Sequence, residues 1–260
     1  MSSEAEPIRS STLELEPGLI RSCQGIWLFA RLNRWTVGGF LLFVPLLCLV
    51  SIDAKSQSDF LELAISFYQF FLLPIYCLSV FGPLIRDEVQ LDTLGFLITR
   101  PITRARLLLL KYLCLMAKVQ IVAVIAGVIL LATGAAKQVI VPELIAPFFL
   151  SQALGIVAYG GLATLFGLVS KKYMVFGLIY GAIVEFGFGR IPTNVQELAI
   201  SHHMHSVLAA CPAIETLFDW KIGSLATAGL STLGAGTVAI IIAMLLFTTR
   251  EYHHADDMQK

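Results

Sequence analysis

The sequence predicts an all-α polytopic membrane protein: six transmembrane helices, an N-terminal interfacial helix, a short cytoplasmic helix between spans 2 and 3, and a re-entrant or outer helical segment between spans 5 and 6. Three observations predict it. Of 260 residues, 57% are hydrophobic and only 14% charged, against about 25% charged in a soluble domain; mean hydropathy is +0.81. Apolar runs near the roughly 20 residues needed to cross a bilayer recur along the chain. Lysine and arginine gather on one side of those runs, as they do on the cytoplasmic side of membrane proteins.

Residues 1–17 carry Glu4, Glu6, Glu14 and Glu16 among serines and prolines. Such a composition buries little and reads as a mobile tail. From 18 to 34 the pattern changes. Leu19, Cys23, Ile26 and Ala30 share one helical face and Arg21, Gln24 and Arg31 lie mostly opposite, but Leu28 falls on the wrong side, so the amphipathicity is imperfect. This predicts an interfacial helix with Trp27 and Trp35 at headgroup depth; the alternative is the start of a long first span.

The six spans are Trp35 to Ile52, Leu63 to Ile85, Leu113 to Thr133, Leu144 to Ser170, Met174 to Phe188 and Ser224 to Thr249, the fifth being short. They are helical because an open sheet edge has no partners in lipid. Pro45, Pro74 and Pro83 mark places where spans one and two can kink. Asp53 to Glu62 reads as a short outer loop. Gly155, Gly160, Gly161 and Gly167 let the fourth helix approach its neighbours closely, which predicts a place inside the bundle. Gly177 and Gly181 form a GxxxG, open to either a dimer contact or packing within one subunit. The long stretch from Glu185 to Lys221, with Val195, Leu198 and Ala199 in a helical pattern, predicts the outer or re-entrant segment, and 250–260 is a polar tail.

Orientation follows from the cations. Thirteen of the 18 (Arg9, Arg21, Arg31, Arg34, Arg86, Arg100, Arg104, Arg106, Lys111, Lys171, Lys172, Arg250 and Lys260) fall on the side of the N-terminus, against Lys55, Lys137, Arg190 and Lys221 opposite. Both termini are therefore expected in the cytoplasm, with Lys118 snorkelling to the inner interface. A formal net charge of zero argues against nucleic acid as a partner. The five cysteines do not form a disulfide framework, and the polar, acidic first 18 residues do not read as a cleavable signal.

The most ordered polar stretch is Arg86 to Lys111, RDEVQLDTLGFLITRPITRARLLLLK. Leu91, Leu94 and Ile98 recur at helical spacing, with Glu88 and Asp92 one turn apart on a more polar side, so a short amphipathic helix is expected over 87–98. Pro101 interrupts it. The chain should bend near Arg100 and restart as a second helix on which Arg104 and Lys111 share a side.

Chemistry-bearing residues are few. No GxxxxGK[ST] loop occurs, so the chain does not bind ATP by that route. Intramembrane proteolysis would need paired aspartates, a facing serine and histidine, or HExxH, and none is present. Glu185 is the sharpest anomaly: an acid near the end of a span, facing a substrate path or a buried partner such as Arg190, or partly hydrated at the interface. His202, His203 and His205 are the metal candidates, but no carboxylate or thiol lies between them and the nearest are Glu197 and Cys211. They read as solvated or interface histidines, with no metal site assigned.

The central stretch resembles the membrane subunit of ABC-type transporters of the second exporter class. That family carries an acid, a Thr-Leu pair, an apolar pair, a Ser or Thr, a Pro, an Arg and a Lys, matched here by Glu88, Thr93, Leu94, Phe96, Leu97, Thr99, Pro101, Arg104 and Lys111. Asp92 stands where the family often has glycine. FLITRPITR looks like permeases of small bacterial and archaeal systems, including the type associated with copper-enzyme maturation. The run from Leu198 to Ala209 is similar to a His-rich segment of that subgroup, with Met204 and His205 where Leu-Arg is often seen.

The resemblance implies that 18–249 is a single permease domain and that 87–98 is a coupling helix seated in a separate ATPase subunit. Leu91, Leu94 and Leu97 would be its buried anchors, with Glu88 and Arg100 at the rim and Pro101 and Arg104 leading into the third span. ATP and Mg would bind in the partner; no cofactor is expected in this chain. A second permease copy or paralogue would pair with it around a substrate path in a prokaryotic inner membrane, and the direction would be export. The alternative is a free-standing channel or secondary carrier. Against it, spans one to four hold almost no ionisable groups and no inverted repeat is obvious.

Overall fold

Every regular element in the computed structural model is helical, over the residues it describes: 36–41, 43, 56–86, 103–139, 142–185, 187, 194–212, 214 and 224–249. The tails at 1–17 and 250–260, the interfacial helix expected over 18–34, the helix expected over 87–98 and most of the first span lie outside these residues. So do Glu88, Leu91, Leu94, Leu97, Arg100, Pro101 and Arg190.

Helix α1 runs Gln57–Phe81. It begins six residues before the expected span. Ser56 and Asp59 form a capping box, the Ser56 hydroxyl accepting the Asp59 amide at 3.2 Å and the Asp59 carboxylate accepting the Ser56 amide at 3.3 Å. Two of the amides left unpaired at a helix start are thus satisfied. The expected loop over Asp53 to Glu62 is therefore helical from Gln57 onward. Leu63–Leu72 adopts the wider π register, and Pro74 follows at once. In a regular α-helix the proline ring collides with the carbonyl four residues back and offers no N–H, and a π run accommodates both defects.

Helix α2, Arg104–Ala136, starts beyond Pro101, as the sequence pattern requires. The Thr103 hydroxyl caps it, accepting the Arg106 amide at 3.4 Å. A 3₁₀ turn at Pro142–Leu144 leads into α3, Ile145–Val169. Helix α4, Tyr173–Tyr180, continues as a π segment, Gly181–Glu185. A second 3₁₀ turn, Asn194–Leu198, precedes the short α5, Ile200–Leu208, and α6 is Leu225–Thr249. Among the described residues α1, α2, α3 and α6 are long and apolar enough to cross a membrane, whereas Tyr173–Glu185 is a shorter apolar helix. The first span is represented by helical backbone at 36–41 and 43.

Helix α3 is the centre, touching α1, α2, α4, α5 and α6. Its glycines explain how. A Cβ built on Gly161 would lie 2.7 Å from the carbonyl oxygen of Gly236 in α6, and one on Gly236 would lie 2.7 Å from that of Val157. Only hydrogen fits there, so the two backbones meet directly. Of the GxxxG pair, Gly177 abuts the Leu78 side chain within the subunit, while Gly181 has nothing within 4 Å of its Cβ position.

Aromatic rings fill the space between α1, α3 and the first-span fragment. Phe40 stacks on Tyr76 with centroids 4.0 Å apart, and Tyr68 stacks on Phe148 at 6.0 Å. Polar ties run through the same layer. The Tyr68 hydroxyl is shared between the Ala123 carbonyl at 3.0 Å and Gln152 Oε1 at 3.2 Å, and Gln69 Nε2 donates to the Phe148 carbonyl at 3.3 Å. Away from water, each such bond fixes how α1, α2 and α3 sit against one another.

Candidate functional site

Glu185 ends the π segment of α4, and its carboxylate reaches the start of α5. Oε1 accepts the Ile200 amide at 3.3 Å and the Tyr180 hydroxyl at 3.1 Å, while Oε2 accepts the Ser201 amide at 2.9 Å. The first amides of a helix have no partners within it and carry its positive dipole end. Ala199, at the N-cap of α5, has no side chain able to serve them. Glu185 serves them from another helix. A π turn places residues five apart on one side, which is why Tyr180 and Glu185 meet.

An apolar cavity of about 240 Å³ lies beside this group, between α1, α3 and α4. Phe70, Phe71 and Leu78 line it from α1, Leu162 and Phe166 from α3, and Leu178 from α4, with Tyr159, Tyr180 and Glu185 supplying its polar groups. Both π segments border it: Phe70 and Phe71 belong to one, Gly181 and Glu185 to the other. An apolar slot with few polar groups suits an apolar or amphipathic guest.

The three histidines point different ways. His203 Nε2 donates to the Glu197 carbonyl at 2.8 Å. His205 packs edge-on against Phe70, with centroids 4.3 Å apart; burial, with His202 nearby, pushes its imidazole down to about 3. His202 lies edge-on to His203 at 5.6 Å. Among the described residues no group of three or more His, Cys, Asp or Glu is placed to hold a metal ion.

At the opposite end of the bundle the helices on either side of 87–102 are tied together. Lys111 of α2 is buried, and its ammonium donates to the Leu84 carbonyl at 2.6 Å, in the turn that closes α1. A Cβ on Gly167 would collide with the Gly82 carbonyl, and the Tyr173 ring lies over Gly82. Arg104 is the first residue of α2 and half-buried.

Residues 32–189 match a family model described as ABC-2 family transporter protein. The chain belongs to that family. No curated protein matches it. As an ABC-2 family chain with four described helices able to span a bilayer, it is a multi-pass membrane protein and an ABC transporter permease.

Of the site residues expected from sequence, the structure places Glu185, Arg104 and the three histidines; the others lie outside the described set. Sequence reasoning found Glu185 by its charge but not its partners. Two of those are backbone amides, which leave no mark in a residue pattern, and the anticipated Arg190 is not described. It also missed Gln69, Ser151 and Gln152, all fully buried. Their signal was there: amide and hydroxyl side chains within two apolar helices demand partners in the bundle.

Proposed function

We propose that this ABC-2 family chain is the membrane half of an ATP-driven exporter, pairing with a second copy or a paralogue around a substrate path and driven by separate ATPase subunits. Leu91, Leu94 and Leu97 of the coupling helix over 87–98 enter a cleft of the ATPase, with Glu88 and Arg100 at its edge. Pro101 sets the bend into the third span, and Arg104 begins the helix that follows. ATP and Mg bind in the partner. The complex sits in a prokaryotic inner membrane with both termini cytoplasmic, surrounded by lipid.

The observation that carries this reading is the family match over 32–189, which takes in both the stretch from Arg86 to Lys111 and Glu185. The cavity beside Glu185 supports an apolar or amphipathic cargo, with Glu185 at the edge of its path. The Glu185 carboxylate accepts two backbone amides and the Tyr180 hydroxyl, and so orders this edge of the cavity.

Co-purification tests the proposal. The wild-type chain brings down a nucleotide-binding subunit, and Leu94→Asp releases that subunit while the bundle stays folded. A free-standing channel or secondary carrier purifies alone and is indifferent to the change; that result would refute the reading.

A further inference from the structure

We infer that Lys111, Leu84, Gly82, Gly167 and Tyr173 form a rigid joint that ties the turn at 82–85 to the helix starting at Arg104, so that a push arriving through residues 87–102 is carried into the bundle. The use of the joint rests on the coupling reading above; its rigidity is a property of this chain alone.

The segment leaves α1 through the turn at 82–85. Leu84 lies three residues past the end of α1, and its carbonyl accepts a hydrogen bond from the Lys111 ammonium, 27 residues along the chain, at 2.6 Å. An ionised donor makes such a bond stronger than a neutral pair would. With the Lys111 side chain only 7% exposed, water does not compete for the bond. Leu84 and Ile85 are themselves 5% and 3% exposed.

Two further contacts hold the same turn. The backbone of Gly82 touches α3 at Gly167, where no Cβ fits, and the Tyr173 ring at the start of α4 covers its other side. A turn pressed by backbone and a ring, and bonded by an ammonium, has little room to slide. The segment returns at Thr103, whose hydroxyl fixes the first turn of α2, and Lys111 lies two turns further along that same helix. One side chain thus bonds the helix that receives the segment to the turn that releases it. Lysine suits this position because its ammonium, on a flexible stem, can lie along an apolar wall and still reach the Leu84 carbonyl.

Hydrogen exchange on the full chain in lipid nanodiscs tests the joint directly. In Lys111→Met the amides of 82–86 and 103–107 exchange about tenfold faster, as expected for losing a charged hydrogen bond, while those of 150–160 do not change. Tyr112→Phe, which removes the neighbouring bond from the Tyr112 hydroxyl to the Val157 carbonyl, leaves 82–86 unchanged. Tyr173→Leu keeps the lysine, loosens the same turn, and stands in should Lys111→Met not fold. Unaltered exchange at 82–86 in both Lys111→Met and Tyr173→Leu overturns the joint. With the ATPase subunit bound, ATP alters the exchange of 194–208 in the wild type and no longer does so in Lys111→Met, although ATP is still hydrolysed. A response that persists in Lys111→Met reduces the contact to a local brace and overturns the inference. Failure of the wild type to bind any ATPase sinks the coupling reading instead, and leaves the rigidity result standing.

Discussion

Glu185 caps a helix it does not belong to: its Oε2 accepts the Ser201 amide at 2.9 Å, 16 residues further along the chain. The end of α4 and the start of α5 are therefore tied into one structural unit, and Tyr180 and Glu185 of that unit line the apolar cavity.

Replacing Glu185 by Ala leaves the Ile200 and Ser201 amides without their acceptor. Loss of hydrogen bonds to a charged group is worth about 2 kcal/mol, so the amides of 200–203 should exchange roughly thirtyfold faster. Glu185→Gln keeps one acceptor oxygen and should give an intermediate value. Equal exchange in the wild type and Glu185→Ala would show that α5 is held by its apolar face alone.

Gly161→Val and Gly236→Val force a side chain between two backbones already in contact. Overpacking of this kind costs about 1–3 kcal/mol or more, and thermal unfolding in detergent should report a lower midpoint for each. Gly234→Ala, where the Cβ position is open, should hold or raise the midpoint, since alanine favours helix over glycine by about 1 kcal/mol.

His205 sets a pH dependence. Its imidazole is lowered from the ordinary 6.5 to about 3 by burial, so the unfolded chain binds a proton that the folded chain refuses. The stability this confers is fully present above pH 6.5 and is lost progressively as pH falls from there toward 3. Unfolding midpoints measured from pH 8 to pH 4 should fall more steeply in the wild type than in His205→Phe, which keeps a ring against Phe70 without the titrating group. Parallel profiles would contradict it.

Tyr68→Phe removes one hydroxyl that serves both Ala123 and Gln152, a loss of about 1 kcal/mol. Gln152→Leu leaves the Tyr68 hydroxyl its bond to Ala123. The double variant should therefore be more stable than the sum of the single losses predicts, and a double-mutant cycle on thermal unfolding reads that difference. Strict additivity would mean that Tyr68 and Gln152 do not interact.

Hydropathy located the long helices because the demand for unbroken apolar length is severe in lipid. It did not locate their ends. The start of α1 is set by Ser56 and Asp59, a capping pair present in the sequence yet read as loop because its residues are polar. The π registers were also hidden, since apolar side chains all round a helix look alike in either register; the proline at 74 was the one local clue. Glu185 stood out as an acid in an apolar run, but its spacing was weighed against Arg190, five residues ahead, whereas the structure uses Tyr180, five residues behind. The packing of the histidines was not legible: that His205 faces Phe70 depends on how α5 lies on α1, which no local pattern encodes.

The contact of Gly161 with Gly236 limits how this molecule can deform. Where main chain lies on main chain there is no layer of side chains to shear, so the central helix and the last one must travel together as a double rod. Any rocking of the bundle has to find its slip plane elsewhere, and among the described residues the wall shared by α1 and α4 offers one, where the void sits and where two wide-register turns leave the backbone less tightly wound.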